Sequence, residues 1–279
     1  MSDGDKLNVL IFGAHPDDPD GSAGGVAALY TRQGHRVKMV SLTNGDAGHH
    51  EIGGVELAKR RFAEAQAVTK VLGLVEYQVL DNHDGELEPT IANRRQVIRI
   101  IREFKPDLIM TPRPNDYHPD HRYTSVLIQD SAYMVTVPNT VALTPHLQRN
   151  PVFVYVADRF RHPYPFSPDV AVDIGEVITL KYDALHCHKS QYYEWLAYNA
   201  GRLHEVPAGD AERRAWLAKS RQSRNSQIVE LYRDVLERWY GAARAEKIEV
   251  AEAFEVCEYG SQPSKEDLRR LFPFFDGAR

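Results

Sequence analysis

The chain has 279 residues, 43% of them hydrophobic, and a formal net charge of -5. A chain of this length buries a sizeable core, and its mild acidity excludes a general affinity for nucleic acid or anionic lipid, which requires a basic patch. Two cysteines, Cys187 and Cys257, leave no disulfide framework and no Cys-x-x-Cys zinc knuckle, so any bound metal falls to His and Asp. The polar start Met1–Lys6 and the short apolar run Leu7–Phe12 match neither a secretion signal nor a membrane span. A cytoplasmic protein with a small-molecule partner is expected.

The first half alternates strand-like and helix-like segments, the pattern of a mostly parallel sheet with helices on both faces. Leu7–Phe12 is nearly continuous in apolar character and reads as a central strand. Ala23, Val26, Ala27 and Tyr30 then recur at helical spacing up to Gly34, and Val37–Leu42 reads as the second strand. A helix follows from about Val55 to Leu72, closed by Gly73, and then a strand over Glu76–Leu80. Ile91, Val97, Ile98, Ile101 and Phe104 give a further helix, which Pro106 ends before the strand Leu108–Thr111. Val152–Ala157 is a fifth strand, and His162–Pro168 an ordered loop.

Beyond this, one helix is expected over Glu176–Asn199 and another from about Ala211 to Tyr240. The front of the latter carries Arg213, Arg214, Lys219, Arg221 and Arg224, read as a solvated basic face. Ile248–Tyr259 suits either a strand at the sheet edge or a C-terminal annex. Residues 1–279 are taken as one domain, with 200–279 a helical, partly strand-forming extension. Leu271, Phe272, Phe274 and Phe275 are apolar enough to cover either the chain's own core or a second copy in a homo-oligomer.

Two clusters carry the chemistry: Ala14-His15-Pro16-Asp17-Asp18 after the first strand and His118-Pro119-Asp120-His121 after the fourth. In a wound parallel sheet both lie at the carboxyl edge, where ligands bind. Pro119 suits the first turn of a helix, which places His118 at the cap and turns His121 toward the same pocket. Catalytic zinc sites use three protein ligands and keep one position open. His15, Asp18 and His121 supply such a set, and Asp17 is left over to take a proton from a water whose pKa the metal lowers to about 7. His118 is placed to face an oxyanion, and Asp120 to orient a histidine from behind. Aspartates at a helix start also cap it, and that reading competes for Asp17 and Asp18. A His₂Asp set accepts Zn²⁺, Fe²⁺ or Mn²⁺.

These clusters, together with Gly24-Gly25, Ser41-Leu-Thr-Asn-Gly-Asp46, Arg61 with Glu64, Asp84-Gly85, and Lys181 followed by His188-Lys-Ser-Gln191, resemble the PIG-L/LmbE-like family of zinc-dependent N-deacetylases over roughly residues 7–191. The resemblance implies a Rossmann-like three-layer sandwich. It also implies hydrolysis of an N-acetyl or other N-acyl group, most often on an amino sugar such as N-acetylglucosamine or its conjugates. His15, Asp18 and His121 match the family's zinc ligands, Asp17 its general base, His118 its transition-state histidine and Asp120 the carboxylate that supports it. Arg61 and Asp84 resemble residues that hold sugar hydroxyls. Tyr117 stands next to the position of a pocket tyrosine, and Pro19 replaces an acidic residue that many members carry after the double Asp. His49 and His50, on the Gly-rich loop Gly45–His50, are candidates to touch substrate.

Two other readings remain at this point. An amidase of the same family acting on a thiol conjugate or another non-sugar amide shares all the metal chemistry. A sugar- or nucleotide-binding module without catalysis is disfavoured, because His15-Pro16-Asp17-Asp18 stands where a Gly-x-Gly-x-x-Gly phosphate loop would be needed.

Overall fold

The computed structural model describes residues 6–275, apart from the side chain of Arg224; of the polar start Met1–Lys6 only Lys6 falls within it. Seven strands form one sheet: β1 (Asn8–Gly13), β2 (Arg36–Ser41), β3 (Glu76–Val79), β4 (Leu108–Thr111), β5 (Val152–Val156), β6 (Val170–Asp173) and β7 (Ala251–Gly260), in the order β3-β2-β1-β4-β5-β7-β6. The first five run parallel, with Val9 opposite both Val37 and Leu108, and Ile11 opposite both Met39 and Met110. Val9, Leu10, Ile11 and Phe12 are all buried without alternation, as a strand covered on both faces requires.

The helices are α1 (Asp18–Arg32), α2 (Gly54–Leu72), α3 (Ile91–Phe104), α4 (Pro119–Met134), α5 (Ile178–Cys187), α6 (Leu196–Asn199), α7 (Asp210–Leu231), α8 (Arg233–Tyr240), α9 (Ala242–Ala245) and α10 (Lys265–Leu271). From β1 the chain steps outward through β2 to β3, then returns to β4 on the other side of β1. Right-handed crossovers therefore place α1 and α2 on one face and α3 and α4 on the other. α1, α2 and α5 pack on one another, and α3 packs on α4. The order reverses between β1 and β4, so a crevice opens beyond their carboxyl ends. Both histidine clusters emerge there.

The C-terminal region departs from expectation. β7 is neither an edge strand nor an annex: it runs antiparallel between β5 and β6, inside the sheet. The helix expected over Glu176–Asn199 breaks at His188 and continues as a wide π-turn, Ser190–Trp195, before α6. Buried polar bonds override helical periodicity there: the His188 ring pairs with Asp20 at 3.0 Å, and the Ser190 amide and hydroxyl both donate to Glu64. The helix expected up to Tyr240 likewise breaks at Tyr232, between α7 and α8. Leu271, Phe272 and Phe275 are buried in the chain's own core, with Phe274 packed against it. No helix among the described residues is long and apolar enough to cross a membrane.

One buried carboxylate of β7 ties α1, the helix behind the first cluster, to α5. α1 kinks at Ala23, where φ is -132° and ψ 20°, which leaves the amides of the following turn without helical acceptors. Glu252 of β7 takes them: its carboxylate accepts from Gly25 N at 2.9 Å and Val26 N at 2.8 Å, and from Lys181 Nζ at 2.6 Å. Position 25 must be glycine, because a Cβ there would lie 2.7 Å from Ile174 Cγ2. Replacing Glu252→Ala strands a buried ammonium and two amides and should lower the unfolding free energy by about 3–5 kcal/mol. Urea denaturation checks this, and a loss below about 1 kcal/mol would contradict the role given to the pair.

Candidate metal centre and active site

The loop after β1 is drawn into a tight turn, with the amides of Asp17 and Asp18 both donating to the His15 carbonyl. Its start is closely packed: a Cβ on Gly13 would lie 2.5 Å from Pro19 Cδ. The end of β2 anchors it, since the hydroxyls of Ser41 and Thr43 donate to the Ala14 carbonyl at 3.0 and 2.8 Å. The second cluster begins α4 with His118 at the N-cap and Pro119 next, and the His118 ring, not Asp120, caps the helix.

Three donor atoms converge between the clusters. His15 Nδ1 lies 3.3 Å from Asp18 Oδ2, His121 Nε2 lies 3.3 Å from the same oxygen, and the two ring nitrogens are 3.3 Å apart. A tetrahedral metal with bonds of about 2.0–2.1 Å separates its ligand atoms by about 3.3–3.4 Å, so the triangle has the dimensions of one face of a zinc site. The hydrogen bonds behind it fix the tautomers. His15 Nε2 lies 3.2 Å from Asp120 and 3.1 Å from Asp84, and His121 Nδ1 lies 2.9 Å from Asp116. Protons on those nitrogens leave His15 Nδ1 and His121 Nε2 with free lone pairs facing the centre, the arrangement in which carboxylates orient metal-binding histidines.

His118 also comes within 4.8 Å of His15 and His121, and of His15, Asp84 and Asp120, at its ligating atoms. Its Nδ1 accepts the Asp120 amide at 3.2 Å, however, so a neutral ring carries its proton on Nε2 and can donate a hydrogen bond but not bind metal there. Burial, then the neighbouring His15 and His121, hold its pKa below the ordinary value and favour that neutral form.

Asp17 makes no cap bond although it occupies the N-cap of α1, so the capping alternative does not hold for its carboxylate. Its Oδ1 accepts from Arg61 Nη2 at 2.7 Å. Burial raises the Asp17 pKa and the Arg61 charge opposes the rise, giving a carboxylate more basic than an exposed one.

The residues expected to touch substrate lie as follows. Arg61 is only 2% exposed and spends its guanidinium on Asp17, the Gly45 carbonyl and Asp84, so it holds the carboxylate network rather than reaching into the crevice. Gly45 and Gly48 pack against it: a Cβ on either would come within 2.4 and 2.9 Å of Arg61 Nη1. Asp84 is buried between His15 and Arg61. His49 accepts the Glu51 and Ile52 amides at Nδ1 and donates to Glu194 from Nε2, so both its nitrogens are used. His50 stacks on His49 and Tyr198. None of these four lines the cavity beside the metal centre. Tyr117 does, at 79% exposure near its mouth.

That cavity, about 600 Å³, opens beside Asp17, Asp18 and His121 and is walled by the loops after β4 and β5 and by residues of the π-turn, α6 and α7. A bidentate pair between Arg113 and Asp158, at 2.7 and 2.6 Å, ties the two loops together. Sequence reasoning missed Asp116, whose only signal is an acid five residues before a candidate ligand. It also missed Arg113 and Phe160, which arrive from segments that carry no motif, and Tyr192, which follows the His188–Gln191 motif, and it read Arg221 as a solvated residue.

The PIG-L family model, described as GlcNAc-PI de-N-acetylase, matches residues 10–132. A diacetylchitobiose deacetylase from Thermococcus kodakarensis is 31% identical over 201 residues, spanning 68% of this chain and 72% of that protein. This chain belongs to the PIG-L family. Among solved structures, the N,N'-diacetylchitobiose deacetylase of Pyrococcus horikoshii superposes with a TM-score of 0.68 at 23% identity, covering 91% of this chain and 85% of its own. The 4-carboxy-2-hydroxymuconate hydratase of Pseudomonas putida superposes equally well, at a TM-score of 0.69 and 19% identity over 92% of this chain and 99% of its own. The PIG-L fold thus also hosts a hydratase, and the chemistry must be argued from the site.

The donor set fits a divalent cation electrostatically as well as geometrically. Burial works against a charged His15, but Asp120, Asp18 and Asp84 together raise its pKa well above the usual value. Burial opposes charge on His121 too, yet Asp18 and Asp116 raise its pKa from 6.5 to about 10. Metal-free protein thus keeps protons where a metal would sit. Zinc titration should therefore release protons and bind more weakly as pH falls, which calorimetry in buffers of different ionisation enthalpy detects. In chelated protein the His121 contribution to stability is complete below pH 6.5 and is lost as pH rises through about 10. Its thermal midpoint should fall across that window, and saturating zinc should flatten the fall.

Proposed function

We propose that this PIG-L protein is a metal-dependent hydrolase that removes an N-acetyl or other N-acyl group from an amino sugar or amino-sugar conjugate. The observation that carries the reading is the triangle of His15, Asp18 and His121 with the basic carboxylate of Asp17 next to it. Zinc is the ion whose bond lengths suit the triangle, although iron and manganese accept the same donors. When bound, such an ion supplies Lewis acidity, polarising the amide carbonyl and making water acidic enough to react near neutral pH.

The chain's own residues do the rest. Asp17 accepts the proton of the attacking water and can return it to the leaving amine. Arg61, bonded to Asp17 and to the Gly45 carbonyl, holds that carboxylate in one orientation and keeps its pKa from rising further. His118, with its proton on Nε2, donates to the oxygen on which charge develops as the carbonyl carbon becomes tetrahedral. Asp120 is fixed by the amides of Gly85 and Leu87 and fixes the His15 ring in turn. The sugar occupies the cavity bordered by Tyr117 and Phe160. A site of this size takes a whole small molecule, since such pockets span about 300–1,000 Å³.

Protein purified without chelator should contain about one divalent ion per chain and release acetate from members of a panel of N-acetylated amino sugars. His121→Ala should lose the ion, whereas Asp17→Asn should keep it and lose turnover by about two orders of magnitude or more. A metal-loaded protein that releases no acid from any N-acyl amino sugar would remove this reading. Arg61→Leu tests the base separately. Removing the guanidinium lets burial raise the Asp17 pKa further, so the acid limb of the pH profile of kcat/KM should move to higher pH. An unmoved limb would mean that Asp17 is not the group that titrates.

A further inference from the structure

The charge lining the cavity is unbalanced in one direction. Four carboxylates line it, and each already has a partner: Asp17 has Arg61 at 2.7 Å, Asp18 has His15 and His121 at 3.3 Å, Asp116 has His121 at 2.9 Å, and Asp158 has Arg113 at 2.6 Å. Arg159 and Arg221 line it as well, and neither forms an ion pair among the described residues. The basic front of α7 was expected to be a solvated face, but Arg221 has no acid three or four residues away, where a helix places surface partners. Positions 217, 218, 224 and 225 are Leu, Ala, Arg and Asn. Instead its guanidinium carbon lies 4.6 Å from the Tyr192 ring centroid, which steadies the group against the wall. Arg221 also borders a second cavity of about 190 Å³, next to Leu196 and Trp216, so it stands where two hollows meet. The larger one, at about 600 Å³, has far more room than an acetyl group needs.

We propose that Arg159 and Arg221 form a subsite for an anionic group, a carboxylate or a phosphate, carried by the part of the substrate beyond the amide. The preferred substrate is then an acidic conjugate of an N-acylated amino sugar. This deepens the deacylase reading and rests on it for the position of the amide. Guanidinium groups suit the role because their planar donors match both oxyanions in pairs and stay charged at any working pH. The two arginines come from the loop after β5 and from α7, so only the folded chain brings them to one cavity.

The test uses metal-loaded, full-length protein and N-acetylglucosaminides that differ only in the aglycone: a carboxymethyl group, its uncharged carboxamide, and a phosphate ester of similar length. The ratio of kcat/KM for a charged glycoside to that for the carboxamide should be about tenfold or more, chiefly through KM, and should shrink at high salt. It should fall toward one when Arg159→Gln and Arg221→Gln are combined and be largely kept when both become Lys. Preference for either charged arm supports the subsite, and their ranking tells which anion it takes. A ratio near one in the natural protein, or one that the Gln pair leaves unchanged, overturns it. Because a ratio does not depend on the folded fraction, partial misfolding of a variant does not blur the result. Calorimetric titration of the same glycosides into the Asp17→Asn protein separates the two readings. Charge-selective, arginine-dependent binding without acetate release by the natural protein keeps the subsite and removes the deacetylase. Acetate release with no charge preference removes the subsite alone.

Discussion

Four carboxylates, Asp18, Asp84, Asp116 and Asp120, crowd around the imidazoles of His15 and His121 at the carboxyl ends of β1 and β4. Anions packed this closely and this deeply repel one another unless positive charge sits among them. Without metal the histidines can supply it by holding protons, since the surrounding carboxylates raise the pKa of both. A divalent ion would supply it better, since the 3.3 Å triangle could offer it three donors at once. Much of the surrounding architecture serves to keep that cluster of charge in place.

The support comes from far apart in the chain. The Gly45–Gly48 loop is glycine-rich because it lies on the Arg61 guanidinium, and Arg61 in turn holds Asp17. Asp46 accepts the Asp84 amide and thereby seats the loop from which Asp84 reaches His15. Behind the first cluster, Asp20 is buried against His188 and Tyr77, and Glu252 caps the kinked start of α1 from across the sheet. The contacts of Asp20 and Glu252 are buried, where an unpaired polar group is costly. The same bonding explains why the helix expected over Glu176–Asn199 gives up its regular pattern at His188: the ring is committed to Asp20 and the Ser190 amide to Glu64.

Much of the parallel half of the sheet was legible because its signals are local. Continuous apolar runs mark strands buried on both faces, and a Gly or Pro ends most of the helices between them. The position of the two His/Asp clusters was legible too, because each is a short segment at a strand end, where a wound sheet gathers its ligands. Arg61, Asp84, His49 and His50 were visible as residues but not as to what they face. A sequence position does not say whether a side chain points into a crevice or is spent on a neighbouring carboxylate. Asp116 and the Arg113–Asp158 pair left almost no trace, since an ion pair between loops has no characteristic spacing.

What the sequence determined by itself, then, was the wound parallel sheet through β5, the placing of both His/Asp clusters at one edge, and the kind of chemistry those residue types can perform. Tertiary structure alone decided that β7 enters between β5 and β6, that α7 turns Arg221 toward the cavity, and which carboxylate holds which histidine. The division has a physical reason. Helical and strand periodicity and turn residues act over a few neighbours and are written directly in the chain. The partner of a buried charge is chosen by which distant groups the finished packing leaves within about 3 Å of it, and that distance exists only once the chain has folded.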